Sequence, residues 1–371
     1  MRVLHFVTGG FSGATQVAVD LCLAAQRSQG MQVLLVLRRK RNTDAARVQA
    51  LRDKGLDVRV VPGWSHLATV LSLRQIALEW QPDILVAHGF SDHLWGRYAG
   101  LLARVPHMVH VEHNSRERYT PWRLKQAHWL ARYTAASVGV SEGVKTRLLE
   151  LGFPPERCVA IPNGIDMQRF PREALTPWPQ RQPGIVMAAR FARQKDHATL
   201  LRAIALLKQQ YGLTPTLHLA GGGKQRLLDK AKSLATELGI AQQVDFMGQV
   251  QQLPAFLMQQ QVFVLSTHYE GMPLALVEGM AAGCACIGSD VVGVREVIAH
   301  GRTGLLVPES DAAALAAALH QLLTQSGRAE ALATAARQDA EKHFDVSVMQ
   351  ARHAALLQHV QTGTFPAPTR T

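Results

Sequence analysis

Apolar residues along this chain come in short continuous runs, and between the runs they recur at helical spacing. In the first half the runs fall at 2–7, 32–37, 57–61, 83–87, 107–112, 137–140 and 158–161, which reads as seven strands. Helical patterns lie between most of them, at 14–28, 44–54, 67–80, 92–103 and 142–151. The second half repeats the alternation, with strands at 184–188, 215–220, 243–247, 261–266 and 284–288. Its helical patterns fall at 196–211, 224–238, 252–259, 273–282 and 311–324, with a last one at 347–361. Alternating strands and helices predict doubly wound parallel sheets of the α/β class.

Between the halves, Pro162-Asn-Gly-Ile-Asp166 and the proline-rich stretch Pro171 to Pro183 read as an interdomain linker. The expected architecture is two Rossmann-like domains, 1–165 and 166–371, facing each other across a cleft. The second is expected to end in helix 347–361 and a disordered tail, 362–371. Ligands in such sheets bind beyond the carboxyl ends of the strands.

Composition adds limits. At 371 residues, 47% hydrophobic and 18% charged, the chain is ordinary for globular domains with their own cores. The opening run is too short for a signal peptide, no apolar stretch is long enough to cross a bilayer, and the four cysteines lack metal-ligand spacing. A reduced, cytoplasmic setting is expected. Residues 1–165 hold 21 Lys and Arg against 12 Asp and Glu, while the rest holds 19 against 16. The excess gathers in Arg38-Arg-Lys-Arg41, Arg47, Arg52 and Lys54, and in Arg116, Arg118, Arg123, Lys125 and Arg132. A basic, aromatic-containing face suits anionic lipid head groups or an anionic glycan. Nucleic acid ranks lowest, because no binding motif for it accompanies the charge.

Candidate chemistry sits at strand ends. Glu270 and Glu278 bracket Gly-Met-Pro-Leu-Ala-Leu-Val, so Glu270 lies on a loop after strand 261–266 and Glu278 in the second turn of a helix that can start at Pro273. Carboxylates accept hydrogen bonds from sugar hydroxyls, and the free N–H groups of the helix start attract phosphate. Arg190 and Lys195 follow strand 184–188, a pairing of fork and point charge suited to a diphosphate. Glycine turns follow two strands, at Thr8-Gly-Gly-Phe-Ser-Gly-Ala-Thr15 and Leu219-Ala-Gly-Gly-Gly-Lys224, where backbone can approach a phosphate closely. The first is not the dinucleotide pattern and Arg38 follows the second strand where an acidic residue would hold a ribose, which argues against NAD. His88 and His113 follow strands 83–87 and 107–112, placing both at ligand-facing ends, whereas His110 lies inside a strand and reads as structural.

Taken in order, these residues resemble the retaining, nucleotide-sugar-dependent glycosyltransferases of GT-B fold, of the family 4 type. The likeness runs through Ile161-Pro-Asn-Gly-Ile-Asp166, Arg190 with Lys195, Ala220-Gly-Gly222 and Phe246-Met-Gly248. It continues from Ser266 to Glu278-Gly-Met-Ala-Ala-Gly283, then Gly293 with Glu296, and Gly301 to Pro308. The resemblance implies that Glu278 holds the ribose hydroxyls and that Glu270 lies at the donor sugar, with Gly271, Met272, Pro273 and Leu274 beside it. It implies Arg190 and Lys195 on the diphosphate, and His113 near the sugar and reaction centre. Ser12, Gly13, Asn163 and Gly222 are further substrate contacts by the same likeness, and His88 falls on the acceptor side. Two departures stand out: the first loop reads Ser12-Gly13 after an extra Gly9-Gly10, and Gly279 stands where alanine is commoner.

The implied reaction moves a sugar from a UDP-, GDP- or ADP-sugar to the hydroxyl of a glycan or lipid-linked acceptor, with retention and without a metal or other cofactor. No Asp-x-Asp motif is present. Bacterial cell-surface polysaccharide or lipopolysaccharide assembly is the implied setting, at the inner face of the cytoplasmic membrane. The rival readings are a catalytically silent sugar-nucleotide-binding subunit and a sugar-nucleotide epimerase of related fold.

Overall fold

A computed structural model describes residues 1–27, 30–116 and 119–363. The chain divides into two compact units, Met1–Gly164 joined by the segment from Val346 onward, and Ile165–Asp345.

The first unit is built on seven parallel strands: β1 (Arg2–Thr8), β2 (Gln32–Arg38), β3 (Val58–Val61), β4 (Ile84–His88), β5 (His107–Glu112), β6 (Ala136–Gly139) and β7 (Cys158–Ala160). Their spatial order is β3-β2-β1-β4-β5-β6-β7. The order turns back between β1 and β4, which pair directly with Val3 opposite Ile84. Leu4, Phe6, Leu34, Val36 and Leu85 from the central strands are fully buried, as runs that are apolar throughout require when helices cover both faces.

The second unit repeats the plan with β8 (Gln182–Ala188), β9 (Leu217–Ala220), β10 (Val244–Gly248), β11 (Gln260–Leu265), β12 (Ala285–Ser289) and β13 (Leu305–Val307). Their order, β10-β9-β8-β11-β12-β13, turns back between β8 and β11. These two reversals are the topological switch points at which open α/β sheets bind ligands. The fold is therefore two Rossmann-like units of the doubly wound type.

Four features depart from the sequence expectation. Helix Val346–Thr362 belongs to the first unit rather than the second: Gln350 Nε2 donates to Asp20 O at 3.1 Å, and Met349 sulfur accepts from Gly164 N–H at 3.4 Å. The Pro171–Pro183 stretch is not a free linker. Pro171 and Pro177 each precede a short helical turn, Phe170 and Trp178 are buried, and Trp178 Nε1 donates to Ser326 Oγ at 3.0 Å. Helices Pro121–Ala131 and Ser326–His343 and strand β13 were not anticipated. Finally, the helix expected from Pro273 spans Leu274–Ala281, with Pro273 as the residue before it. Most of the expected tail, from residue 364 on, and Arg118 lie outside the described residues.

Gly279, the departure from the family's usual alanine, has a packing reason. A Cβ there would sit 2.5 Å from the ring of Phe263 in β11, so the glycine lets helix Leu274–Ala281 lie close on a bulky strand residue.

Candidate functional site

At the switch point of the second unit, residues after β8 and after β11 are stitched together. Lys195 ends a short helical turn, Arg193–Lys195, and Asp196 caps the next helix by accepting from Thr199 N–H. Gln194 Nε2 donates to Tyr269 O at 2.6 Å, and Gln194 O accepts from His268 N–H at 2.9 Å. This double link holds Lys195 against the loop carrying Glu270, and the two side chains form a salt bridge, both largely buried. Glu270 also accepts from Thr267 Oγ1 at 2.9 Å. Behind it, a Cβ on Gly293 would meet Glu270 O and Gly271 O at 2.6 Å, so helix Val292–Arg295 seats against the loop only because residue 293 is glycine.

Gly271, Met272 and Pro273 are buried between Glu270 and helix Leu274–Ala281. The first intrahelical donors beyond the cap are Leu276 and Val277, both bonded to Pro273 O, so the N–H groups of Leu274 and Ala275 open the helix without an intrahelical acceptor. Glu278 lies one turn on, mostly buried, and pairs with Arg169 Nη1 at 2.8 Å. Arg190 stands exposed past the end of β8, and among the described residues its guanidinium has no partner. Gly221 and Gly223, both at positive φ, let the turn after β9 approach the backbone of 189–191: a Cβ on Gly221 would stand 2.2 Å from Ala189 O. Gly222 lies between them. This unit thus carries Arg190, Lys195, Glu270, Glu278 and the helix start on the segments that follow the neighbouring strands β8 and β11. Sequence reasoning missed Gln194, Thr267 and Arg169. Thr267 lies inside the matched run from Ser266 to Glu278, and Arg169 lies just beyond the matched Ile161-to-Asp166 segment.

The switch point of the first unit holds different groups. Ser12 precedes helix Gly13–Arg27, its carbonyl accepting from Gln16 N–H at 3.0 Å, while Thr15 Oγ1 ties back to Thr8 O at 2.8 Å. Phe11 before it takes φ 48°, a left-handed conformation that a bulky residue adopts only under local constraint. His88 does not fit the acceptor-side role expected of it. It is fully buried, and both ring nitrogens are taken: Nε2 lies 3.0 Å from His5 Nδ1, and Nδ1 lies 3.2 Å from His113 Nε2. Only His113 at the end of this row keeps partial exposure. Burial lowers the pKa of His5 and of His113 to about 4, and that of His88 well below its ordinary value, so all three imidazoles are neutral at neutral pH. Asn163 is buried, with its Oδ1 unpartnered.

A second buried cluster lies in the same unit. His93, His110 and Glu112 offer three ligand atoms within 4.8 Å of one another. Their chemistry suits a metal ion poorly. His93 Nδ1 accepts from Arg97 Nη2 at 2.7 Å and its Nε2 lies 2.7 Å from Tyr119 Oη, so neither nitrogen is available. Arg97, fully buried with its pKa lowered to about 10 by desolvation, remains protonated and already supplies the positive charge. His110 stacks on His93 at 4.0 Å, in line with the structural role expected of it.

Comparison with known proteins extends this picture. The family model of Glycosyl transferases group 1 matches residues 172–339, and that of Glycosyltransferase Family 4 matches residues 11–169. The lipopolysaccharide core biosynthesis glycosyltransferase LpsE of Rhizobium meliloti is 27% identical over 334 residues, covering 88% of this chain and 90% of its own. Glycogen synthase of Mycobacterium tuberculosis is 28% identical over 302 residues, covering 76% and 70%. The solved structure of Anabaena HepE in complex with UDP and glucose superposes with a TM-score of 0.83 at 21% identity, over 96% of this chain and 99% of that one.

Proposed function

This chain belongs to the family 4 glycosyltransferases, and from that premise we propose that it transfers a glycosyl group from a nucleotide diphosphate sugar to an acceptor hydroxyl with retention of configuration. The observation that carries the reading is the second unit's switch point, where the segments after β8 and β11 hold Arg190, the Lys195–Glu270 salt bridge and the start of the helix that carries Glu278. Breaking the C1–O bond leaves its electron pair on the nucleoside diphosphate. Arg190, Lys195 and the N–H groups at 274 and 275 stabilise that charge as it develops, without a metal ion. The acceptor oxygen bonds C1 on the face the diphosphate leaves, and its proton passes to the departing phosphate oxygen. Glu270 accepts from the sugar hydroxyls rather than attacking C1, Glu278 holds the ribose, and His113 donates to the sugar.

The neighbour's complex with UDP and glucose favours a UDP-sugar among the candidate donors. The relatives favour bacterial surface-polysaccharide or lipopolysaccharide assembly. No described helix is long and apolar enough to cross a membrane. Exposed Trp64, Leu67, Leu71 and Trp122 accompany the basic residues of the first unit and support peripheral contact with an anionic membrane. Arg38 is withdrawn from that face, buried against Asp92 at 2.6 Å.

Thermal shift against UDP-, GDP- and ADP-sugars, followed by assay of nucleotide release with and without a glycan acceptor, tests the reading. A true donor raises the unfolding temperature by mass action, and an acceptor-dependent release of nucleoside diphosphate separates transfer from epimerisation or silent binding. Absence of both effects for all three donors would overturn it.

A further inference from the structure

The row of imidazoles in the first unit has a property that no single histidine in it has. His5 lies within β1, His88 ends β4 and His113 follows β5, three adjacent strands of one sheet. The spacings of 3.0 and 3.2 Å make two hydrogen bonds in series. A neutral imidazole carries one proton, so it donates through one nitrogen and accepts through the other. The row therefore has only two consistent states, and each fixes all three rings together.

In one state the protons point toward His113: His5 Nδ1–H donates to His88 Nε2, His88 Nδ1–H donates to His113 Nε2, and His113 carries its proton on Nδ1. In the other state every proton is reversed, and the last N–H lies on His5 Nε2. His5 is buried, and among the described residues no acceptor lies within hydrogen-bonding distance of its Nε2. An N–H at this 3% exposed residue meets little solvent, and a poorly satisfied donor is the costlier defect. The first state avoids it by ending the row at His113, the partly exposed member, where water or a ligand accepts the proton.

We propose that His5 and His88 are positioning residues that hold His113 as its Nδ1–H tautomer, so that it meets a hydroxyl of the transferred sugar as a fixed donor. This rests on the reading of His113 as a donor-sugar contact. Without the row, His113 samples both tautomers, and in one of them it presents a lone pair. Helix Val346–Thr362 adds a fourth buried imidazole, His353, whose charge interacts with His5 and His113 and whose Nε2 is unpartnered. Like charges that close favour neutrality along the whole row.

His5→Phe is the informative variant, since His5 touches His88 and not His113. Long-range proton–nitrogen correlation spectra of histidine-labelled protein, without substrate, are expected to show His113 as a single Nδ1–H tautomer in the wild type and as a mixture in His5→Phe. Turnover should fall roughly tenfold with the KM for the donor unchanged, the scale of losing a supporting hydrogen bond behind a site residue. His5→Asn, whose amide can donate near the Nδ1 position, should restore the single tautomer and most of the turnover. An Nε2–H tautomer in the wild type, or one tautomer in His5→Phe, overturns the proposal. So does an equal fall in turnover for both variants. Full turnover in His113→Ala would instead overturn the reading of His113 itself, and the tautomer spectra tell the two failures apart.

Discussion

The two units share a strand order through their first six strands, yet they furnish their switch points with different chemistry. In the first unit the row across β1, β4 and β5 consists of neutral imidazoles bonded to one another, with the ion pair of Arg38 and Asp92 set aside at the end of β2. In the second the groups at the switch point are ions: Lys195 with Glu270, Arg169 with Glu278, and Arg190 without a partner among the described residues. A sheet edge imposes neither choice. Charge belongs where charge develops during reaction, because a preorganised cation costs no reorganisation at that moment. A neutral donor suits a hydroxyl, which carries no charge and gains little from a cation whose own desolvation is expensive.

The largest expected effect tests that division directly. Lys195→Ala should lower turnover at least ~100-fold, the scale of removing one preorganised charge contact from a transition state. His113→Ala should lose less, on the order of tenfold to a hundredfold, the scale of a positioned hydrogen-bonding group. Steady-state kinetics on both variants, with unfolding temperatures alongside, rank the two. A His113→Ala defect exceeding that of Lys195→Ala would invert the comparison and move the electrostatic burden to the first unit.

Acid should also separate the units. Burial lowers His5 and His113 to about 4 and His353 to about 3, and it lowers His88, His93 and His110, all in the first unit. In the second unit His197 is the described histidine so shifted, also to about 4. A histidine lowered in the folded state is neutral there while the unfolded chain binds a proton near 6.5, so the unfolded state gains protons first. Its stabilising contribution is whole above about pH 6.5 and declines as pH falls toward 4. Amide exchange followed through that window should show β1, β4 and β5 losing protection before β8 and β11. Loss of protection in both units together would mean that the imidazole row does not govern acid stability.

How far the sequence reveals this depends on distance along the chain. Strands read well because sheets covered on both faces demand unbroken apolar runs, and β1 and β4 show them plainly. The glycines and charges of the second switch point read well because each lies within a few residues of a strand end. Helix Pro121–Ala131 was hidden because its sequence, Pro-Trp-Arg-Leu-Lys, reads as basic surface, and only Ala127, Leu130 and Ala131 face inward. Trp178 looked like linker because the partner that makes it core, Ser326, is 148 residues away. His88 misled for a related reason. Its position promised a ligand, but His5, 83 residues earlier, and His113 already occupy its ring. A lone histidine in the apolar run Val-Leu-His-Phe-Val was the available hint, and it named no partner.

The smallest expected effect lies inside the second unit, where the two glutamates are held unequally. Lys195 and Glu270 are both largely buried, whereas the side chain of Arg169 is 43% exposed beside a 16% exposed Glu278. Solvent screens the second pair, so its contribution to stability falls in the range of about 0–1 kcal/mol. Its effect on Glu278 is orientational. One oxygen is fixed by Arg169 at 2.8 Å, which leaves the other for the ribose hydroxyl that the proposed role assigns to it. Such a contact is equally present in ground and transition states, and its loss therefore raises KM while leaving kcat alone. Arg169→Gln should raise the donor KM by roughly threefold to tenfold, about one hydrogen bond's worth, with kcat and the unfolding temperature nearly unchanged. A fall in kcat at constant KM would place Glu278 in the reaction itself and end its assignment as a nucleotide anchor.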